Sequence, residues 1–182
     1  AIAGLNVSQI DGDSLAGFHK PGMHIGGTVM IPFYNNWTAN VEILYSQKGS
    51  KTTQNNKFPN DNFDLRLDYV EIPVMVRYTD KDRFAFGAGM SYGRYLSNKL
   101  VVNSLDEDLA DETFKDSDLM IKLDGGYFIT PNWFVNIGWA RSLSRVDNQD
   151  AEIPINTENG YINRIVFGRI MYVLPIGAAA RN

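Results

Sequence analysis

The 182 residues include no cysteine, which excludes a disulfide framework and any thiolate-bound metal. Histidine is almost as scarce, with two in the chain; His24 has no second histidine or cysteine near it and reads as a hydrogen-bonded interior residue rather than a metal ligand. Basic residues are too few and too dispersed for a nucleic-acid surface: Lys and Arg number 17 against 21 Asp and Glu, a net charge of −4 with a pI near 5.1, so nucleic acid is not an expected partner. Long apolar runs are missing too. No stretch approaches the roughly 20 apolar residues of a transmembrane helix, and the mean hydropathy is −0.23. No Gly/Ser/Pro linker or shift of composition divides the chain, and residues 1–182 are read as a single domain. Ala1 opens directly on a strand-like run, which is read as a processed N-terminus.

What the chain does have is alternation. Between Leu67 and Leu96, Val70, Ile72, Val74, Val76 and Tyr78 alternate with Tyr69, Glu71, Pro73, Met75 and Arg77. After a tight charged turn, Phe84, Phe86, Ala88, Met90 and Tyr92 alternate with Ala85, Gly87, Gly89, Ser91 and Gly93. A period of two over this length predicts a hairpin whose faces meet two different solvents. In a soluble barrel the apolar face would be the core, whereas in a membrane barrel it meets lipid and the polar face lines the interior.

The same pattern recurs along the chain. It predicts strands over 3–10, from Met23 to Phe33, over 37–48, in the two arms of the hairpin, from about Leu119 to Phe128, over 133–140 and over about 161–174. The last is placed with Val166, Gly168, Ile170, Tyr172 and Leu174 outward and Arg169 inward, because a charge on a mid-bilayer lipid face costs about 2–4 kcal/mol. The connections alternate long and short, with short turns at Tyr34-Asn35-Asn36, around Lys81-Asp82 and at Thr130-Pro131-Asn132. That rhythm predicts an all-β fold: an eight-stranded antiparallel up-and-down transmembrane β-barrel in a bacterial outer membrane, with periplasmic termini and extracellular long loops.

This orientation sorts the residues into sets. Phe33, Trp37, Tyr78, Phe84, Tyr127, Trp133 and Tyr172 fall at the short-turn end of the apolar face, and Tyr45, Tyr92 and Trp139 towards the long-loop end, as two lipid-interface girdles. Glu42, Glu71, Arg77, Lys122, Asp124 and Arg169 fall on the opposite face as a lumen charge network, tolerable only if paired, with Gly87, Gly89, Gly93, Gly126 and Gly138 giving room. Lys48, Lys51, Arg94 and Arg141 lie near the outer leaflet as candidate contacts for lipopolysaccharide phosphates. The acidic stretch with Asp106, Glu107, Asp108, Asp111 and Glu112 lacks the order of a calcium loop and reads as solvated surface. His19 with Asp11, Asp13 and Ser14 lacks a motif that would activate a nucleophile. No catalytic residue, metal or cofactor is expected.

Four blocks, LNVSQ at 5–9, GFHKPG at 17–22, EILYSQKGSK at 42–51 and LDYVEIP at 67–73, resemble the PorT-like outer-membrane β-barrel family of Bacteroidetes, over nearly the whole chain. The resemblance implies an eight-stranded outer-membrane barrel without catalytic machinery, and one relative serves type IX protein secretion and gliding. The tail IGAAARN departs from the aromatic C-terminal residue usual in such barrels. The resulting expectation is a non-enzymatic barrel with a filled lumen, a structural or accessory subunit of an envelope complex serving secretion or outer-membrane assembly. Its expected partners are outer-membrane lipid, lipopolysaccharide and other envelope proteins. The alternatives are a small channel, a loop-mediated surface binder and a barrel enzyme acting on lipid.

Overall fold

In the computed structural model, residues 1–11, 20–51, 63–102, 105–107, 114–147 and 162–174 are described. The described residues form nine strands: β1 (Ile2–Asp11), β2 (Lys20–Tyr34), β3 (Trp37–Lys51), β4 (Phe63–Asp80), β5 (Phe84–Val102), the short β6 (Leu105–Glu107), β7 (Ser117–Thr130), β8 (Trp133–Ser142) and β9 (Ile162–Tyr172). Each long strand pairs antiparallel with its sequence neighbours, β5 passing directly to β7. Pairing of β1 with β9 closes the sheet into an eight-stranded up-and-down barrel. At the seam the N-terminal amine of Ala1 donates to the Tyr172 carbonyl at 2.8 Å, and Tyr172 N–H returns a bond to Ala1. Among the described residues no helix is long and apolar enough to cross a membrane, and closure leaves the staves without a free edge.

Two of the three short turns use positive φ. Asn35 takes φ 36°, and Lys81 and Asp82 take 48° and 56° in succession, the left-handed pair that suits the twist of a two-residue hairpin.

The apolar face points outward. Leu5, Val29, Ile43, Val74, Phe86 and Ile137 are all more than half exposed, while Asn6, His24, Glu42, Glu71, Lys122 and Arg169 on alternate positions are buried. On β9 the outward set includes Gly168, Ile170 and Tyr172, and Arg169 points inward.

Most strands gain a residue or a few at their ends, and three of them form an extension that the alternation alone does not predict. β3 continues past Lys48 to Lys51, β4 begins at Phe63 rather than Leu67, and β5 continues to Val102 with β6 paired beside it. The physical reason is a change in which face carries the apolar residues, since the odd positions of β4 point inward along its length. Below Tyr69, β4 turns Val70, Ile72, Val74 and Val76 outward and Glu71 and Arg77 inward; above it, Leu65 and Leu67 are fully buried while Arg66 and Asp68 turn outward. A β-bulge between β4 and β5 sits at this point, where Asp68 pairs with Ser97 but Tyr69 with Tyr95, leaving Leu96 as the extra residue. The extension is an ordinary water-facing sheet with an apolar inner face, so a rule of apolar residues outward stops at its foot.

Candidate functional site

The interior is built in layers. Towards the short-turn end Ile2, Ala85, Phe134 and Met171 form an apolar cluster, which Leu44 joins from higher on β3, with Met30 and Phe128 packed on it. Above it lies a four-membered ionic ring. Arg77 contacts Glu42 at 3.3 Å and Asp124 at 2.5 Å, and Arg169 contacts Glu42 at 2.7 Å and Asp124 at 3.4 Å. Asn136 donates to Asp124 at 2.9 Å and accepts from Arg169 Nε at 3.3 Å.

A second set lies nearer the long-loop end. Lys48 bridges Glu71 at 2.9 Å and Asp118 at 3.0 Å, and Lys122 contacts Glu71 at 3.0 Å. Ser91 donates to Glu71 at 3.2 Å and Asn163 to Asp118 at 2.9 Å. His24 is fully buried, with Nε2 2.9 Å from the Ser46 hydroxyl. The Phe167 ring lies between the two sets, facing the Arg169 guanidinium at 4.5 Å and the Lys122 ammonium at 5.4 Å. Over the upper set, Leu65, Leu67, Tyr69, Leu100, Phe114 and Val146 are buried. Tyr95 links Tyr69 to Phe114, with ring centroids 5.9 and 6.1 Å apart.

Each ionic set is neutral, with Glu42 and Asp124 balancing Arg77 and Arg169, and Glu71 and Asp118 balancing Lys48 and Lys122. Neutrality and close pairing are what make ionised side chains tolerable away from water. The glycines divide by neighbour. A Cβ on Gly87 would meet Arg77 and Asp124, and one on Gly93 would approach Glu71 and Tyr69, so these two make room for the ionic sets. Gly89, Gly126 and Gly138 instead admit Met75, Phe134 and Phe167.

Of the six residues expected in the lumen network, all lie on the inner face: Glu42, Arg77, Asp124 and Arg169 meet in one set, Glu71 and Lys122 in the other. Lys48 requires a correction. Expected at lipopolysaccharide, it is 1% exposed and belongs to the upper set. Its place near a strand end suggested the outer leaflet, yet it shares parity with Glu42, Leu44 and Ser46 and therefore points inward. Asp118, its second partner, was not singled out from the sequence; its even position, in phase with Lys122 and Asp124 on β7, is the signal that marks it.

The other outer-leaflet candidates lie outside the lumen. Lys51 is 3.3 Å from Asp64, which also takes Lys20. Arg94 is 3.2 Å from Asp116, and Arg141 lies half-buried on the outer face of β8.

The aromatic residues at the short-turn end stack as cross-strand pairs: Trp37 with Tyr78 at 5.2 Å, Phe84 with Tyr127 at 5.1 Å and Trp133 with Tyr172 at 4.8 Å. Phe33 stands exposed on β2, and Tyr45, Tyr92 and Trp139 sit on the outward face higher up. Among the described residues no group of three or more His, Asp or Glu is arranged to hold a metal. The side chains of Asp11, Asp13, Ser14, His19 and of the acidic 106–112 stretch lie outside the described residues, as does the IGAAARN tail.

A closed barrel of alternating strands, greasy outside and ionically paired inside, with an aromatic ring at its short-turn end, defines the class of transmembrane β-barrels. More specifically, residues 3–148 match the family model described as "Outer membrane protein beta-barrel domain", and the chain belongs to that family, whose home is the bacterial outer membrane. No curated protein matches the sequence. Among solved structures it is similar to Ail, the attachment invasion locus protein of Yersinia pestis, in complex with the heparin analogue sucrose octasulfate. The TM-score is 0.52 at 11% identity over 94% of this chain and 95% of that one. It is also similar to Neisserial surface protein A, with a TM-score of 0.49 and 12% identity over 94% and 95%. At such identities the first of these likenesses speaks for the fold alone.

Proposed function

We propose that this protein is a non-conducting, non-enzymatic outer-membrane barrel that works through its outer surface and raised rim, as a structural or accessory subunit of an envelope assembly. The observation that carries this reading is the filled axis: two neutral ionic sets between two apolar layers. Eight strands enclose an interior that side chains can fill completely, and a path so filled offers a solute no continuous water. What remains for function is the surface. The β4–β5 extension supports it, because it carries ordered strand well above the lipid-facing band and turns Arg66, Asp68 and Lys99 outward. Placement among the PorT-like barrels, with service to protein secretion or outer-membrane assembly, extends the same reading and rests on the four sequence blocks given above. The long loops face the cell exterior and the termini the periplasm, in keeping with the alternation of long and short connections.

The test is direct. Purified protein is expected to migrate faster on a gel before boiling than after, and to be silent in planar bilayers. In whole cells a membrane-impermeant maleimide is expected to label Lys99→Cys and leave Arg83→Cys untouched. Mild extraction is expected to recover the barrel with other envelope proteins. Steady single-channel current would refute the sealed axis, reversed labelling the orientation, and recovery as a lone monomer the subunit role.

A further inference from the structure

Outward-facing bases near the long-loop end fall into two kinds. Most meet an acid: Arg94 meets Asp116, Arg66 meets Asp68 at 2.9 Å and Lys51 meets Asp64. Arg141 meets another base. It is the direct cross-strand partner of Arg164, β8 against β9, and both side chains lie half-buried on the outer face. Like charges directly opposite on neighbouring strands repel. The Arg141 Nε is buried and without a hydrogen-bond partner among the described residues, while Arg164 makes a further interaction of its own.

The surroundings specify what this pair would hold. On either side the same row continues to Ile121 of β7 and Gln9 of β1. Two residues closer to the short turns the row is apolar throughout: Leu123, Trp139, Val166 and Val7 lie side by side across the same four strands. Height agrees. From Trp133 to Arg141, and from Tyr172 to Arg164, the strands climb about 20 Å at ~3.3 Å per residue and a tilt of ~40°. A lipid-facing band is roughly 25 Å tall. Two guanidiniums therefore stand at the outer edge of the hydrocarbon, over a shelf suited to acyl chains.

We propose that Arg141 and Arg164 form a clamp for the phosphate of an outer-leaflet lipid, whose chains lie on the Leu123–Trp139–Val166–Val7 shelf. A phosphate accepts paired N–H donors from planar guanidiniums, and two of them side by side can share its oxygens. The apolar shelf commits the site to a lipid rather than to free phosphate. The clamp rests on the orientation proposed above, which the maleimide labelling checks separately.

The experiment compares wild type, the R141Q/R164Q double variant and R94Q in detergent, titrated with bisphosphorylated lipid A, its dephosphorylated form or inorganic phosphate, with binding read by native mass spectrometry. Wild type and R94Q are expected to retain bisphosphorylated lipid A at least tenfold better than the double variant, and to show no such preference for the dephosphorylated lipid. Without lipid the double variant is expected to remain heat-modifiable, which shows that it is folded. Equal retention by wild type and double variant overturns the clamp, as does retention independent of the phosphates. Displacement of lipid A by millimolar inorganic phosphate assigns the site to a free anion and overturns the lipid.

Discussion

A single carboxylate shows how tightly the interior is balanced. Asp124 takes both Arg77 and Arg169 and accepts from Asn136; replacing it by Asn leaves two buried guanidiniums sharing Glu42 alone. Breaking a buried pair costs about 3–5 kcal/mol, so Asp124→Asn is expected to lower stability by that order in urea unfolding of the lipid-reconstituted barrel. Asp68→Asn, which weakens a partly exposed pair with Arg66, is expected to cost about 1 kcal/mol or less. Equal losses for the two would contradict the burial that sets them apart. At this scale parity was the readable quantity. It sent Glu42, Glu71, Arg77, Lys122, Asp124 and Arg169 to one face, and the same parity applied to Lys48 sends it inward too. Pairing across the axis could not be read, because which charges meet depends on the stagger of strands far apart in sequence: Lys48 and Asp118 are separated by 70 residues.

Strands β4 and β5 each serve two solvents, and the bulge at Leu96 marks where they change. Below it the outward positions face lipid; above it they face water and the apolar residues turn in. The two halves should therefore answer oppositely to the same substitution. Val74→Arg puts a charge in the middle of the lipid face, at a cost of about 2–4 kcal/mol, and is expected to lower the yield of heat-modifiable barrel on refolding into vesicles. Leu65→Arg buries a charge in the rim core, and is expected to leave insertion intact while making the β4–β5 extension sensitive to protease in vesicles. If Leu65→Arg blocked insertion as severely as Val74→Arg, the rim would not be a separate element. The sequence showed the lower half of the hairpin plainly, since every outward position from Val70 to Tyr78 is apolar. The upper half was hidden because its alternation has the opposite meaning, and Leu65 and Leu67 flanked by charges resemble the edge of a polar loop.

The whole barrel is a stack in series, and its permeability is set by its tightest layer rather than by any average of its lining. Sequence rhythm carried much of this architecture, because three short turns separating long connections admit few arrangements of eight antiparallel strands. The apolar layers were less visible: Phe134 and Phe167 face inward over Gly126 and Gly138, where rings fill space that charge alternation assigns to long polar side chains. The series argument yields a test that a simply plugged pore would fail. Removing the lower ionic set as a unit, in E42A/R77A/D124A/R169A, leaves no orphaned charge from that set, since each lost acid goes with its base. The variant is expected to fold, to remain heat-modifiable and to stay silent in planar bilayers. The layer of Ile2, Phe134 and Met171 below and the Lys48–Glu71–Lys122 set above still close the axis. A resolved single-channel current from this variant would mean that the lower ring was the barrier by itself, and the layers on either side would then have to be discontinuous.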